Sequence, residues 1–320
     1  MRSIVELAVS PQSGASRAYL GVLCGVGAGA LWGLVFLAPE LARAFTPLQL
    51  AIGRYLAYGL LSAALIAPRW RVLAKMLTRR DWMSLGWLSV AGNTLYYILL
   101  ATAVQQGGIA MTSLVIGFLP VAVTIIGSRE SGAVPLRLLA PSLLLCAAGA
   151  VCIGWQALVT PAAGAAQLAG LLCAIGALAS WTAFAVGNSR CLARLERVSA
   201  QDWNLLTGLV TGAQAVALIP LTLLTEPFDH GAPAWLQLAG VSIGVALLAS
   251  ILGNALWNRM SRLLPLTMVG QMILFETLFA LIYGFLWEQR LPLPLEIAAF
   301  GLVVASVLSC ITAHRRHAVR

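Results

Sequence analysis

Long, uninterrupted apolar runs dominate this sequence and leave few folds open to it. Each run continues for about twenty residues, the length that an α-helix needs to cross roughly 30 Å of hydrocarbon in a bilayer. Only 10% of the 320 residues are charged, whereas a water-soluble domain carries roughly 25%. Transmembrane β-barrels alternate apolar and polar residues over short segments, which these continuous runs do not. The sequence therefore predicts an all-α membrane protein.

Short breaks, most of them marked by Gly, Pro or Arg, divide the apolar sequence into ten predicted transmembrane helices. Their limits are Ala18–Pro39, Thr46–Pro68, Trp82–Val104, Gly107–Gly127, Leu136–Trp155, Gln167–Ser189, Asp202–Leu224, Ala234–Trp257, Leu263–Trp287 and Leu293–Ala313. The break between the third and fourth spans is the weakest. The predicted organisation is a lead at 1–17, a five-helix unit at 18–155, a linker at 156–166, a second five-helix unit at 167–313 and a tail at 314–320.

The basic residues test this count independently. If the ten spans alternate in direction, one side of the membrane receives 17 of the 20 Lys and Arg residues, and the other receives only Arg43 and Arg290. Cytoplasmic loops carry the excess of Lys and Arg in membrane proteins. The sequence thus predicts that both termini are cytoplasmic and that the linker is extracytoplasmic. The net charge of +9 follows from this topology, and no nucleic-acid partner is expected.

An internal repeat relates the first and sixth spans without gaps, at an offset of 149 residues. The pairs Cys24/Cys173 and Trp32/Trp181 are identical between LGVLCGVGAGALWG and AGLLCAIGALASWT. Because five spans per copy is an odd number, the second copy must enter the membrane with the opposite orientation. Inverted repeats of this kind are found in many secondary transporters, which bind their substrate near the bilayer midplane.

Two ionisable residues, Arg54 and Glu276, are predicted to lie inside the hydrocarbon region. A buried charge costs several kcal/mol unless it finds a partner, water or a proton. Glu276 either lies on a transport pathway, where it titrates or meets an ammonium group, or bridges helices as a hydrogen-bonded acid. Arg54 either meets a substrate carboxylate, pairs with an acid or extends outward to the interface. These alternatives stay open.

Further pathway candidates are aromatic and amide residues within the predicted spans. They are Trp32, Trp181, Asn93, Tyr96, Tyr97, Asn254, Trp257, Asn258 and Gln271, with Gln105 as a lesser candidate. The two tryptophans of the repeat either pack in the core or line a cavity. The Asn-aromatic spacing of the third span recurs in the eighth at an offset of 161 and places each set on one helix face. A rival offset of 158 would put the second set near the cytoplasmic end, with Trp257 as an interfacial anchor.

Glycine and proline residues within the predicted spans indicate how the helices pack and bend. Four glycines at four-residue steps form a ridge that favours close helix packing or, alternatively, the border of a cavity; they are Gly21, Gly25, Gly29 and Gly33. Pro120 is predicted to bend the fourth span.

Catalytic motifs are absent, and all three His residues lie in loops or the tail, so we expect no enzyme, no metal and no cofactor. The expected partners are a small-molecule substrate and the lipid bilayer, and no protein partner is predicted.

From about Tyr19 to Thr312 the chain resembles the drug/metabolite transporter superfamily, as an EamA-like ten-helix member. The resemblance rests on the ten spans, the two five-helix copies, the G-A-L-W-G segment at Gly29–Gly33, and acidic Glu130 and Glu288 before the fifth and tenth spans. Overall the pattern is similar to the aromatic amino-acid exporter branch of bacterial inner membranes.

This resemblance implies export of aromatic and other neutral amino acids through a central cavity by alternating access. It implies that spans one, three, four, six, eight and nine line that cavity, which gives Arg54 on the second span less weight. A carrier of cationic drugs or other metabolites is the alternative, because the same aromatic walls suit cations. A membrane-embedded enzyme is a remote alternative.

Overall fold

The computed structural model describes residues 14–129, 134–159, 165–195, 197–226, 228–289 and 291–318, and within these residues the regular structure is entirely helical. Eight described helices are long and apolar enough to cross a membrane: Ser16–Leu41, Pro47–Met76, Arg79–Ile109, Ala166–Arg194, Ala200–Thr225, Ala232–Leu263, Met268–Trp287 and Ile297–His314. A shorter apolar helix covers Leu136–Gly149. The expectation of an all-α membrane protein is confirmed at this level.

Seven α-helices lie in the described residues of the first half of the chain. In order they are α1 Gly14–Leu41, α2 Pro47–Ile66, the short α3 Trp70–Met76, α4 Arg79–Ser89, α5 Leu95–Ile116, α6 Leu119–Gly127 and α7 Leu136–Val159. A π-helical segment, Val90–Thr94, joins α4 to α5. Capping boxes fix the starts of α2 and α4: the Thr46 and Thr78 hydroxyls accept hydrogen bonds from the third residue of each helix, whose side chain bonds back.

Glycine and proline divide the region of the third and fourth predicted spans. Gly108 interrupts α5 with φ +81°, a left-handed conformation that glycine adopts without a steric penalty. A second interruption follows at Gly117 and Phe118, so Pro120 sits in the first turn of α6, where its missing N–H is tolerated. The fourth predicted span is therefore two shorter helical pieces, each below the length of a membrane-crossing helix.

The second half of the chain forms α8 to α14. They are α8 Ala165–Arg194, α9 Ala200–Thr225, α10 Ala232–Val245, α11 Asn254–Leu263, α12 Leu266–Met272, α13 Leu274–Glu288 and α14 Pro294–Ala318. A second π-helical segment, Ala246–Gly253, joins α10 to α11. The described part of α1 starts at Gly14, before the first predicted span, and α14 extends to Ala318, past the tenth.

Close helix pairs join the two halves: α2 packs on α9, α7 on α14, α1 on α11 and α13, α5 on α8, and α6 on α12. Where α2 crosses α9, a Cβ added to Gly59 would lie 2.7 Å from the Gly212 Cα. The two backbones are therefore in direct contact at this crossing, and neither glycine has room for a side chain. This is the small-residue packing by which membrane helices associate.

The predicted glycine ridge of α1 is also a packing surface. A Cβ on Gly29 would lie 2.5 Å from the Cβ of Phe275, and a Cβ on Gly33 would lie 2.9 Å from the Ala280 backbone nitrogen. Gly21 and Gly25 face Leu264 and Met260 in the same way. The ridge thus seats the first turns of α13 against α1, and Glu276 lies in the first turn of α13.

Candidate functional site

A small cavity of about 20 Å³ lies inside the helix bundle, among α1, α2, α5, α8, α11, α13 and the first π-helical segment. Seven sequence candidates line it: Trp32, Arg54, Asn93, Tyr96, Trp181, Asn254 and Glu276. Sequence analysis missed three further lining residues, Val35, Gly92 and Phe184, although Phe184 lies one helical turn after Trp181. A water molecule needs about 10–15 Å³ of such volume, so the cavity is closed around space for one or two waters.

Three tryptophans form an aromatic cluster beside this cavity. The Trp32 and Trp181 ring centres are 5.7 Å apart, and Trp257 lies 4.9 Å from the first and 5.1 Å from the second. Edge-to-face contacts at such distances are favourable beyond their buried area. Trp257 is only 2% exposed, which does not fit an interfacial anchor. The cluster brings the repeated tryptophans of the first and sixth predicted spans into contact.

The two π-helical segments border the cavity. The first contains Gly92 and Asn93 and the second is followed directly by Asn254. Trp32 donates its indole N–H to the carbonyl oxygen of Ala249, inside the second segment, at 3.0 Å. Single π-helical turns within α-helices occur frequently at functional sites, because the wider turn redirects side chains and backbone groups.

Arg54 is buried in α2, with 6% of its surface exposed. Its Nε and Nη2 donate to the Ser250 hydroxyl oxygen at 3.2 and 3.1 Å, and its guanidinium carbon lies 4.5 Å from the Tyr97 ring centre and 5.1 Å from that of Tyr55. Within the described residues it forms no ion pair with an acid. Arg54 therefore neither extends to an interface nor lies peripherally, and its charge is held by a hydroxyl and two aromatic faces.

Glu276 is equally buried, at 3% exposed. It lies in the first turn of α13, where the helix dipole favours a carboxylate. Its Oε2 has no hydrogen-bond partner in the described part of the chain. Glu276 and Arg54 line the same cavity without forming an ion pair with each other. A carboxyl group and a guanidinium thus line one cavity, and each has a polar atom without a hydrogen-bond partner in the described residues.

Several polar atoms beside this cavity have no hydrogen-bond partner in the described residues. Besides the Glu276 oxygen, they include Arg54 Nη1, Asn93 Nδ2 and Trp257 Nε1. An unsatisfied buried polar group costs about 1–3 kcal/mol, so folded proteins leave few of them without water or a ligand. The cavity therefore presents donors and an acceptor for a polar guest.

Four other predicted residues lie outside the cavity lining. Tyr97 packs against Arg54. Asn258 accepts a hydrogen bond from Asn188 at 3.0 Å, in a network that includes Trp203. Gln271 donates to the Thr124 hydroxyl at 3.3 Å and accepts from Ser306 at 3.2 Å, and Gln105 donates to the Phe45 carbonyl at 2.9 Å.

Asn258, Gln271 and Gln105 thus lie apart from the cavity that seven of the other candidates line. Asn258 shares a helix face with Asn254, but it lies one turn, about 5–6 Å, farther along the axis. The spacing of two residues along a helix shows whether they share a face of that helix, but it does not show how deep in the bundle each residue lies. Glu130 lies outside the described residues.

Two ion pairs tie helix ends together at one end of the bundle, and sequence analysis missed both. Arg194 at the end of α8 contacts Asp81 at the start of α4, at 2.7 Å, and Arg69 pairs with Asp202 at the start of α9. Both acids also bond the N-cap residue of their own helix. The patterns Thr78-x-x-Asp81 and Ser199-x-x-Asp202 are recognisable capping sequences, so a signal for these helix starts was present.

The residues around the cavity suit a polar organic molecule better than a metal. Among the described residues, no group of three His, Cys, Asp or Glu side chains is close enough to hold a metal ion. The cavity offers one carboxylate, one guanidinium and two amides. Together these can bind an anionic and a cationic group at once.

Comparison with known proteins shows which family and which fold this chain is similar to. Residues 19–155 match the EamA-like transporter family. The chain is 30% identical over 313 residues to inner membrane protein YtfF of Escherichia coli (strain K12), covering 92% of this chain and 95% of that protein. A solved crystal structure superposes with a TM-score of 0.68 over 92% of this chain and 98% of the other chain at 18% identity, a likeness that shows the fold.

Proposed function

This chain belongs to the EamA-like transporter family of the drug/metabolite transporter superfamily, and from that premise we propose that it exports neutral amino acids, chiefly aromatic ones. Membership makes it a multi-pass membrane protein of a family that transports small solutes. The amino-acid substrate, the outward direction, the alternating-access cycle and the bacterial inner membrane as its location are our proposal.

The observation that carries the substrate class is that Arg54 and Glu276 line one aromatic cavity without forming an ion pair with each other. A zwitterionic amino acid offers a carboxylate to Arg54 and an ammonium group to Glu276, which line the same cavity. The indoles of Trp32 and Trp181 suit an aromatic side chain by edge-to-face contact. The amide of Asn93, whose Nδ2 is unpaired, adds a donor for the carboxylate.

The closed cavity supports a cycle of opening and closing. About 20 Å³ is far below the roughly 300–1,000 Å³ of small-molecule sites, so a solute enters only after helices move apart. Ten spans in two inverted five-helix units would supply such a motion by exchanging the conformations of the halves. The pairing of α2 with α9 and of α7 with α14 and the two π-helical segments support this arrangement. The count of basic residues favours cytoplasmic termini.

A carrier of cationic drugs is the second candidate, favoured by Glu276 and the three tryptophans. Arg54 argues against it. A monovalent cation without a carboxylate would share a closed cavity with a buried guanidinium that has no acidic partner among the described residues. Like charges in such a low-dielectric space repel strongly.

The test is counterflow in liposomes that contain only this protein. Labelled phenylalanine, tryptophan, threonine and methionine are each measured with and without a pH gradient, and unlabelled amino acids compete against a cationic dye. We expect tryptophan and phenylalanine flux that other neutral amino acids inhibit, and no flux in empty liposomes. Folded protein that moves none of the four amino acids, or that moves dye without competition from them, would refute the proposal.

A further inference from the structure

A groove of about 1060 Å³ runs along the outside of the bundle between α4, α6 and α8. Its floor is a face of α8 that includes Ile175, Leu178 and Ala179, and Trp87 and Ile126 form its sides. Trp87 is 45% exposed and Ile175 is 47% exposed, so the groove is open along its length. The three helices belong to predicted membrane spans, and an open apolar groove on them faces hydrocarbon.

One end of this groove is basic. Arg80 in the first turn of α4 and Arg190 and Arg194 in the last turns of α8 line it, and the described lining contains no Asp or Glu. Arg190 and Arg194 are four residues apart, so they share one face of α8. Arg194 also contacts Asp81, which is not part of the lining, at 2.7 Å. A guanidinium carries five N–H donors in a fork, so this contact leaves donors for a second anion.

We infer that the groove binds one anionic phospholipid, with its phosphate at the arginine end and an acyl chain along Ile126, Ile175 and Leu178. Arginine clusters bind phosphate through charge-assisted, often bidentate hydrogen bonds. The arginine end is cytoplasmic in the orientation proposed above, and that leaflet carries the anionic headgroups that basic pockets between helices bind. The groove is distinct from the small cavity: it uses the outer face of α8, whereas Trp181 projects inward.

The volume and shape fit this occupant. The groove exceeds the roughly 300–1,000 Å³ typical of small-molecule sites, and its long axis follows α8 from the basic end into the apolar part. A soluble phosphate compound would fill only the basic end. A bound lipid would bridge α4, α6 and α8, and it would leave no part of the groove floor against bulk hydrocarbon.

The test uses the purified full-length protein in detergent and two lipids with identical acyl chains, phosphatidylglycerol and phosphatidylcholine. Native mass spectrometry counts the lipids that stay bound, and thermal unfolding measures protection. We expect one phosphatidylglycerol to be retained and to raise the melting temperature, with little effect of phosphatidylcholine. Equal retention and protection by both lipids would overturn the inference, because the arginines would then contribute nothing.

Two variants address the two ends of the groove. The double variant Arg80→Gln/Arg190→Gln should bind phosphatidylglycerol about 25-fold more weakly, from about fivefold for each arginine near an anionic headgroup. The matched control Arg71→Gln/Arg129→Gln removes two exposed arginines outside the groove and should bind normally. Ala179→Trp fills the exposed floor of the groove and should also weaken lipid binding while the arginine end stays intact.

Two further results would also refute the lipid site. Normal lipid binding by both groove variants would refute the site. Protection by soluble glycerophosphoglycerol equal to that by the lipid would show an anion site without an acyl chain and would also overturn it. Monodisperse elution of every variant establishes folding. Because no transport is measured, failure here is distinguishable from failure of the proposed amino-acid export.

Discussion

Replacing Arg54 by Met separates recognition of a carboxylate from recognition of an aromatic amine. Met keeps a long unbranched stem in the space beside Tyr55 and Tyr97 but removes the charge that is bonded to Ser250. Tryptophan and tryptamine share the indole and the ammonium group and differ only in the carboxylate. If Arg54 binds that carboxylate, the variant should weaken tryptophan binding and spare tryptamine.

The expected magnitude follows from the contacts of Arg54. Its Nη1 has no hydrogen-bond partner, so it is available to a substrate carboxylate without breaking the bonds to Ser250. Hydrogen bonds to charged groups contribute about 1.5–3 kcal/mol, and about 1.4 kcal/mol corresponds to a tenfold change in affinity. We therefore expect tryptophan to bind roughly 10- to 100-fold more weakly. Tryptamine should bind equally well or better, because a like charge has been removed.

The measurement is equilibrium binding of both ligands to detergent-solubilised wild-type and variant protein, reported as the ratio of their dissociation constants. Arg43→Met is the matched control, since Arg43 is an exposed arginine just after α1 whose ion pair in the described residues is with Glu40, three residues before it. It should leave the ratio unchanged. An equal loss for tryptophan and tryptamine in Arg54→Met would show that Arg54 only supports the fold, and an unchanged ratio would remove it from the site.

Three further changes test neighbouring features. Glu276→Gln should weaken tryptamine binding roughly 10- to 100-fold and abolish the pH dependence of binding; an unchanged pH profile would exclude a titrating role. Trp181→Ala should cost about 3–5 kcal/mol of stability and shift selectivity from aromatic to aliphatic amino acids, whereas Trp155→Ala, at an exposed tryptophan, should do neither. Gly59→Val should destabilise the protein by about 1–3 kcal/mol, because its Cβ would meet the Gly212 Cα. Gly86→Ala, with no atom within 4 Å of the added Cβ, should leave the melting temperature the same or higher, and equal effects at both glycines would refute the backbone contact.

The sequence predicted the class of fold, and it singled out several residues that line the cavity, for one reason: the bilayer imposes strong local rules. A long apolar run must be helical in lipid because every backbone polar group needs a partner. Polar residues inside such a run are costly, so Asn93, Glu276 and the repeated Trp32 and Trp181 were recognisable as exceptional. The family resemblance that these features suggested is confirmed by the comparisons.

Other parts of the site depended on information that no local pattern contains. The family resemblance gave Arg54 little weight because its helix was expected to be peripheral, yet α2 presents it to the cavity. Asn258 and Gln271 had the composition expected of pathway residues, but they bond to Asn188 and to Thr124 and Ser306. The sequence left two positions possible for Trp257, interfacial or internal. Its contact with two other tryptophans shows that it is internal.

The sequence alone determined that the chain crosses a membrane as helices and where most of these helices lie. It also showed which polar side chains carry a free-energy cost when they lie inside the membrane. Tertiary structure decided which of these side chains meet. Whether two side chains meet depends on the rotation and depth of each helix, and these are set by contacts between distant segments, such as the glycines of α1 against α13 and Gly59 against Gly212. Such contacts arise only when helices pack, because periodicity along one helix fixes a face but not the neighbour that the face will touch.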